Sequence, residues 1–260
     1  MKLIVVINNK GGVGKTTSAV NLAAWFAKMK KKTLLIDLDP SSSASIHLGF
    51  DKTDRAHQTL CDFLLSENSK LSDYIYPAEQ KNLFCLPSEP ALSDFYEEIK
   101  QDSDAEFFLK REDIPGDFDI VLFDSPPNMG SLALNALAIA DYALVPVQTQ
   151  YLALSGLELT VKLIDKAQRR LNPGLRMLGY FGTHYDRRTN VAKDVLKFIR
   201  EKYGENVFRT AIGVNSKLIE AYHQKKPILY YAPSARGSRE YGELAKEILN
   251  RLNINKIKTE

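Results

Sequence analysis

Lys10-Gly11-Gly12-Val13-Gly14-Lys15-Thr16-Thr17 is the stretch on which the fold turns. A short apolar strand is predicted before it, over residues 2–8. A helix is predicted after it, over 16–29, with Val20, Ala23, Ala24 and Ala27 at helical spacing. Between a strand and a helix, glycines let successive backbone N–H groups turn inward around a phosphate, and the helix N-terminus adds its dipole. Lys15 supplies a charge for the outer phosphates, and the Thr16 hydroxyl a ligand for Mg²⁺. The general phosphate-loop pattern has glycine at its first position. Here Asn9 stands there, and a second lysine, Lys10, precedes the paired glycines.

Working outward, further apolar runs are predicted as strands at 33–38, 83–86, 118–123, 142–147 and 175–182. Apolar strands without alternation, separated by helical segments, indicate a parallel sheet covered on both faces. Helices are expected at 58–66, 91–100, 154–171, 191–203, 217–223 and 239–252. The fold class is α/β: one P-loop domain over 1–252 with a mostly parallel twisted sheet, 51–115 being its least determined part and 253–260 a short polar tail. The cations Lys28, Lys30, Lys31 and Lys32 close the first helix, where they suit its dipole.

The second strand ends in Asp37-Leu38-Asp39-Pro40, and a later one in Asp124. Acids at the C-terminal ends of parallel strands lie along the edge where open α/β sheets bind ligands. A single such Asp is often only a helix cap. Three of them downstream of a phosphate loop point to a metal and a water oriented against a γ-phosphate, and so to ATP or GTP hydrolysis.

Composition narrows the class without choosing a partner. The chain has 260 residues, 35 Lys+Arg against 32 Asp+Glu, and a formal charge of +3. With 44% hydrophobic residues it has the apolar content of a globular protein and not of a disordered one. Two cysteines, Cys61 and Cys85, cannot build a disulfide framework, and a reducing compartment is expected. The uncharged stretches 125–140 and 142–157 contain proline and amides and fall short of the roughly 20 apolar residues that a spanning helix needs. A cytoplasmic protein is expected.

These residues resemble the deviant Walker A ATPases of the ParA/MinD family, most closely the short ParA (Soj) branch. The family's Lys-Gly-Gly-x-Gly-Lys-Thr-Thr is intact at 10–17, its Asp-x-Asp-Pro at 37–40 and its Asp-x-Pro-Pro at 124–127. Shorter likenesses run through 140–157, Arg188-Thr189-Asn190, Lys226-Pro227-Ile228 and Ser234-Ala235-Arg236-Gly237. The resemblance implies ATP and Mg²⁺, held by Lys10, Gly11, Gly12, Val13, Gly14, Lys15, Thr16, Thr17 and Asn215. Lys10, Lys15 and Asp39 would carry catalysis, with Lys10 reaching the phosphates of a facing subunit and Asp39 activating water. Thr16 would ligate the metal and Asp124 would support it through a water, with Asp37 a further candidate.

It also implies an ATP-dependent homodimer that binds DNA without sequence preference and becomes nucleoid-associated. Arg188 and Lys217 match the family's DNA-contacting positions, and Lys193, Lys197 and Arg200 share one face of the 191–203 helix. A ParB-like protein or cargo adaptor is the expected stimulating partner, and a plasmid, chromosome or protein assembly the cargo. No stable membrane association is expected. The alternatives are a MinD-like membrane-positioning ATPase, which needs an amphipathic C-terminal helix for lipid, and a metabolic P-loop ligase. An iron–sulfur ATPase would need cysteines in ligand spacing. Three departures stand out: Ser41-Ser42-Ser43 replaces the family's Gln-x-Asn, Gly213-Val214-Asn215 its Pro-Arg-Asn, and Gln150 stands where many relatives have Glu.

Overall fold

A computed structural model describes residues 1–50, 57–99, 108–128 and 130–254. Most of the expected tail, 255–260, and parts of the 51–115 region lie outside the described residues.

In chain order the elements are β1 (Lys2–Val6), α1 (Lys15–Lys28), β2 (Thr33–Asp37), α2 (Ser43–His47), α3 (Leu60–Leu65), β3 (Tyr76–Pro77), β4 (Leu83–Leu86), α4 (Ala91–Ile99), β5 (Ile120–Asp124), α5 (Ser131–Ile139), β6 (Tyr142–Gln148), α6 (Ala153–Arg170), β7 (Arg176–Thr183), α7 (Asn190–Tyr203), α8 (Ser216–His223), α9 (Ile228–Tyr231) and α10 (Arg236–Arg251). The strands form one seven-stranded sheet in the order β3-β4-β2-β5-β1-β6-β7. Every pairing is parallel except that of β3 with β4.

β1 shows why these strands read as unbroken apolar runs. Leu3, Val5 and Ile7 join one core with α3, α4, α5, α6 and α7, while Ile4 and Val6 join the other with α1, α2, α8, α9 and α10. Successive side chains point to opposite faces, and both faces are covered, so both sets must be apolar. On the second face α1 and α10 approach closely. A Cβ on Gly242 would fall 2.9 Å from the Trp25 ring, and the Ser18 and Tyr241 hydroxyls are 3.0 Å apart. Tyr241, Leu244, Ile248 and Leu252 are all buried there. The apolar face of α10 is therefore spent on α1 and is not presented outward. Among the described residues no helix is long and apolar enough to cross a membrane. Cys61 and Cys85 are free and buried.

Four elements escaped the sequence reading. α5, Ser-Leu-Ala-Leu-Asn-Ala-Leu-Ala-Ile, is apolar nearly all round and buried on several sides, so it has no polar stripe to reveal its period. α2 and α9 span five and four residues, too short for a period to show. β3 is a two-residue antiparallel edge strand containing Pro77, which sheets tolerate only at such margins.

Candidate functional site

The phosphate loop runs from β1 into α1, whose N-terminus is capped by Gly14 in the left-handed region (φ +88°). Gly12 has φ +73°, and a Cβ there would meet nothing within 4 Å, so its backbone faces open space. The left-handed conformation at both positions favours glycine. Val13 is buried, and its carbonyl accepts the Thr183 hydroxyl at 2.8 Å, which ties the loop to the end of β7. The Asn9 N–H donates to the Thr160 hydroxyl at 3.0 Å, and the Lys10 N–H to Asn8 Oδ1 at 2.9 Å.

Lys15 is nearly buried, and its ammonium donates to the Lys10 carbonyl at 3.2 Å, within the curl of the loop. Burial lowers its pKa, and the nearby Asp124 and Asp39 oppose that shift. The side chain of Lys10 is partly buried and reaches Gln148 Oε1 at 3.3 Å, at the end of β6. Thr16 and Thr17 occupy the first turn of α1, with Thr17 accepting from Asn21 Nδ2 at 2.7 Å through its carbonyl.

Asp37 and Asp124 are register partners at the ends of adjacent strands β2 and β5, and both are fully buried. Their surroundings differ. Asp37 Oδ2 accepts from the Ser45 N–H at 2.8 Å and the Ser45 hydroxyl at 2.7 Å, and Oδ1 accepts from the Asp39 N–H at 3.0 Å. Burial raises its pKa to about 6 despite those donors. Asp37 thus folds the 37–45 loop back on itself. Neither oxygen of Asp124 has a hydrogen bond of normal geometry. Burial, then the charge of Asp37, pushes its pKa well up, and the Thr16 hydroxyl and Lys15 only temper that. Asp39 is partly exposed, and its carboxylate accepts the Ser41 N–H at 2.9 Å.

An orphaned buried carboxylate beside a threonine hydroxyl and a lysine is a donor set that fits Mg²⁺, which binds few protein ligands and completes its shell with water and phosphate oxygens. Among the described residues no group of three or more His, Cys, Asp or Glu side chains is arranged to hold a metal alone.

The remaining candidates have partners outside the loop. Asn215 caps α8, its Oδ1 accepting the Lys217 N–H at 2.9 Å, while Nδ2 lies against Gly237. Gly213 departs from the resembled pattern for a visible reason. A Cβ there would fall 2.6 Å from Arg236 Nη2, and its N–H donates to Glu240 at 2.8 Å, the acid that also accepts Arg236 Nε at 2.6 Å. Lys193, Lys197 and Arg200 line one shallow surface depression of about 460 Å³ together with Tyr185, Leu196 and Glu201. Arg188 is 88% exposed but forms a two-pronged ion pair with Asp186, at 3.0 and 2.8 Å. Lys217 pairs with Glu220 at 2.6 Å. Both cations are thus partnered on their own segments, which a sequence pattern does not reveal. Thr183 was missed, and Gln148 stood only within the 140–157 likeness, without a role; each ends an apolar strand as Asp37 and Asp124 do.

A family described as "AAA domain" matches residues 1–177. The Chromosome-partitioning ATPase Soj of Treponema pallidum (strain Nichols) is 39% identical over 252 residues, covering 96% of this chain and 98% of the relative. The Sporulation initiation inhibitor protein Soj of Bacillus subtilis (strain 168) is 36% identical, covering 95% and 98%. Among solved structures, the cobyrinic acid a,c-diamide synthase from Mycobacterium smegmatis with bound ADP and magnesium superposes with a TM-score of 0.83 at 28% identity, covering 98% of this chain and 97% of that one.

Proposed function

This chain belongs to the ParA/MinD-type family of AAA-domain P-loop proteins, and on that premise we propose that it is a ParA-type partitioning ATPase, an ATP-dependent switch that dimerises, holds DNA and releases it on hydrolysis. The observation that carries the reading is the meeting of an intact Lys10–Thr17 loop with the orphaned carboxylate of Asp124, beside Lys15 and Thr16. ATP is the nucleotide, cradled by the backbone of Gly11 to Thr17, with Lys15 on its outer phosphates. Thr16 and Asp124 would hold Mg²⁺, which would supply positive charge against the outer phosphates. Asp37, whose oxygens are taken up by Ser45 and Asp39, supports the loop instead of ligating the metal.

Asp39 orients the attacking water. Lys10 leaves Gln148, a long hydrogen bond at 3.3 Å, and reaches the phosphates of the facing subunit. A charge delivered in trans couples dimer formation to the charge that develops in the reaction. Asn215 contacts the nucleotide from the start of α8. DNA is held without sequence preference by Arg188, Lys193, Lys197, Arg200 and Lys217, and the bound dimer is carried on the nucleoid in the cytoplasm. A ParB-like protein or cargo adaptor stimulates hydrolysis.

The test is duplex retention on filters across a salt series, with Mg-ATP and with Mg-ADP. Affinity is expected to rise on replacing ADP by ATP, and the increment to shrink linearly in log affinity against log salt. Arg188→Ala with Lys217→Ala is expected to remove the increment. No ATP increment, or one indifferent to salt, contradicts the reading.

A further inference from the structure

Two buried polar side chains converge on one turn that is far from both in sequence. Asn21 stands in α1, one turn beyond Thr17. Its Nδ2 donates to the Thr17 carbonyl at 2.7 Å, and its Oδ1 accepts the Ile228 N–H at 2.8 Å. His47 ends α2, the short helix that follows the Asp37–Asp39 segment. Its Nε2 lies 3.2 Å from the Lys226 carbonyl. The two bonds grip residues on either side of Pro227. One comes from the helix behind the phosphate loop, the other from the helix behind the acids.

The α2 grip is also anchored at its far end. Ser45 donates to Asp37 Oδ2 through both its N–H and its hydroxyl, and Asp37 Oδ1 accepts the Asp39 N–H. Water cannot replace a lost partner at these depths, so the turn follows its holders. A side chain that merely filled this space would be apolar, because burying an amide and an imidazole costs desolvation that Leu or Phe does not incur.

The gripped turn fixes α8 in its turn. The Lys226 N–H donates to the Ala221 carbonyl at 3.1 Å, Ala221 and Ile228 are fully buried, and the His47 ring meets Tyr222 edge-on at 5.3 Å. Ile228 opens α9 and Tyr231 closes it. The Tyr231 hydroxyl donates to Glu220 Oε2 at 2.7 Å, and the same oxygen accepts from Lys217 Nζ at 2.6 Å. Contacts therefore run without a gap from Thr17 and Asp37 to the head of α8, where Asn215 and Lys217 stand.

On the reading of Asn215 as a nucleotide contact and Lys217 as a DNA contact, we propose that Asn21 and His47 are positioning residues. They set the α8–α9 turn by the state of the nucleotide site, and so place both residues at the head of α8 for their ligands. A nucleotide that engages the phosphate loop and Asp39 together ties the two holders to each other, which favours one setting of the turn.

Hydrogen exchange of the full chain, read by mass spectrometry with and without Mg-ATP, tests this role. In the wild type ATP is expected to slow exchange in peptides covering 10–17 and in those covering 216–231. His47→Phe fills the space without a donor, and Asn21→Ala removes both bonds. Each variant should keep the slowing at 10–17 and lose about tenfold of it at 216–231, the size of one net hydrogen bond. His47→Gln, whose amide can donate to the Lys226 carbonyl, should restore it. A merely structural loss raises exchange at 216–231 equally in both conditions and leaves the ATP difference intact. Circular dichroism checks the fold of each variant. The proposal is overturned if ATP slows 10–17 but not 216–231 in the wild type, or if either His47→Phe or Asn21→Ala keeps the full ATP difference there. The expected pattern without an ATP increment in duplex retention sinks only the DNA reading. An increment with no ATP effect at 216–231 sinks only the positioning role.

Discussion

The Ser45 hydroxyl donates to Asp37 and accepts the Ser88 N–H at 2.9 Å, so one small side chain joins the Asp37–Asp39 turn to the segment after β4. Two residues on, His47 is buried at the end of α2. Its Nε2 lies 3.2 Å from the Lys226 carbonyl, which makes that nitrogen the protonated donor, and its ring meets Tyr222 edge-on at 5.3 Å. Burial lowers its pKa to about 4 against an ordinary value of 6.5. A histidine held neutral in the fold stabilises it above the unfolded pKa, and that contribution is lost as pH falls from 6.5 toward 4. The full effect is about 3 kcal/mol. Urea unfolding at several pH values should show this loss in the wild type and a flatter profile in His47→Gln; parallel profiles would contradict it. Lys15, Thr16 and the three acids stand out in the sequence because phosphate chemistry needs those types at loop and strand ends, whereas Lys10 stands out only through the family likeness. Ser45 and His47 do not, since their roles depend on partners 43 and 179 residues away.

Strands and amphipathic helices were legible for the same physical reason, that burial on a fixed face imposes a period. α10 illustrates it: Tyr241, Leu244, Ile248 and Leu252 recur at helical spacing, and all four are buried. α5 lacked that signal because the protein covers it on several sides. The 213–215 departure could be seen in the sequence, but its cause, the Arg236 guanidinium filling the space above Gly213, is a contact across elements. The hydroxyl of Thr183 belongs to this scale too, as the link between β7 and the phosphate loop. Thr183→Val keeps the shape and leaves the buried Val13 carbonyl without its donor, a loss of about 1–3 kcal/mol. Calorimetric titration should show ATP affinity reduced by about tenfold, 1.4 kcal/mol of that loss. Unchanged affinity would mean that the loop holds its curl unaided.

At the scale of the whole molecule, a charge of +3 on 260 residues suggested little about partners. Position changes that. Lys15 faces Asp124 and Asp39 at one end of the sheet, while eight cations gather at the other, and the α7 surface carries three more. Near-neutrality overall therefore conceals separated basic surfaces, and doubling one of them in a dimer strengthens the attraction for a polyanion. Asp39, partly exposed beside Lys15, is the residue whose loss should separate assembly from turnover. The decisive measurement is the solution mass of Asp39→Ala by light scattering, in Mg-ATP and in Mg-ADP. The expected result is a stable dimer in ATP, about twice the 29.3 kDa chain, and a monomer in ADP. A 29.3 kDa species in both nucleotides would contradict the ATP-dependent dimer on which the account rests.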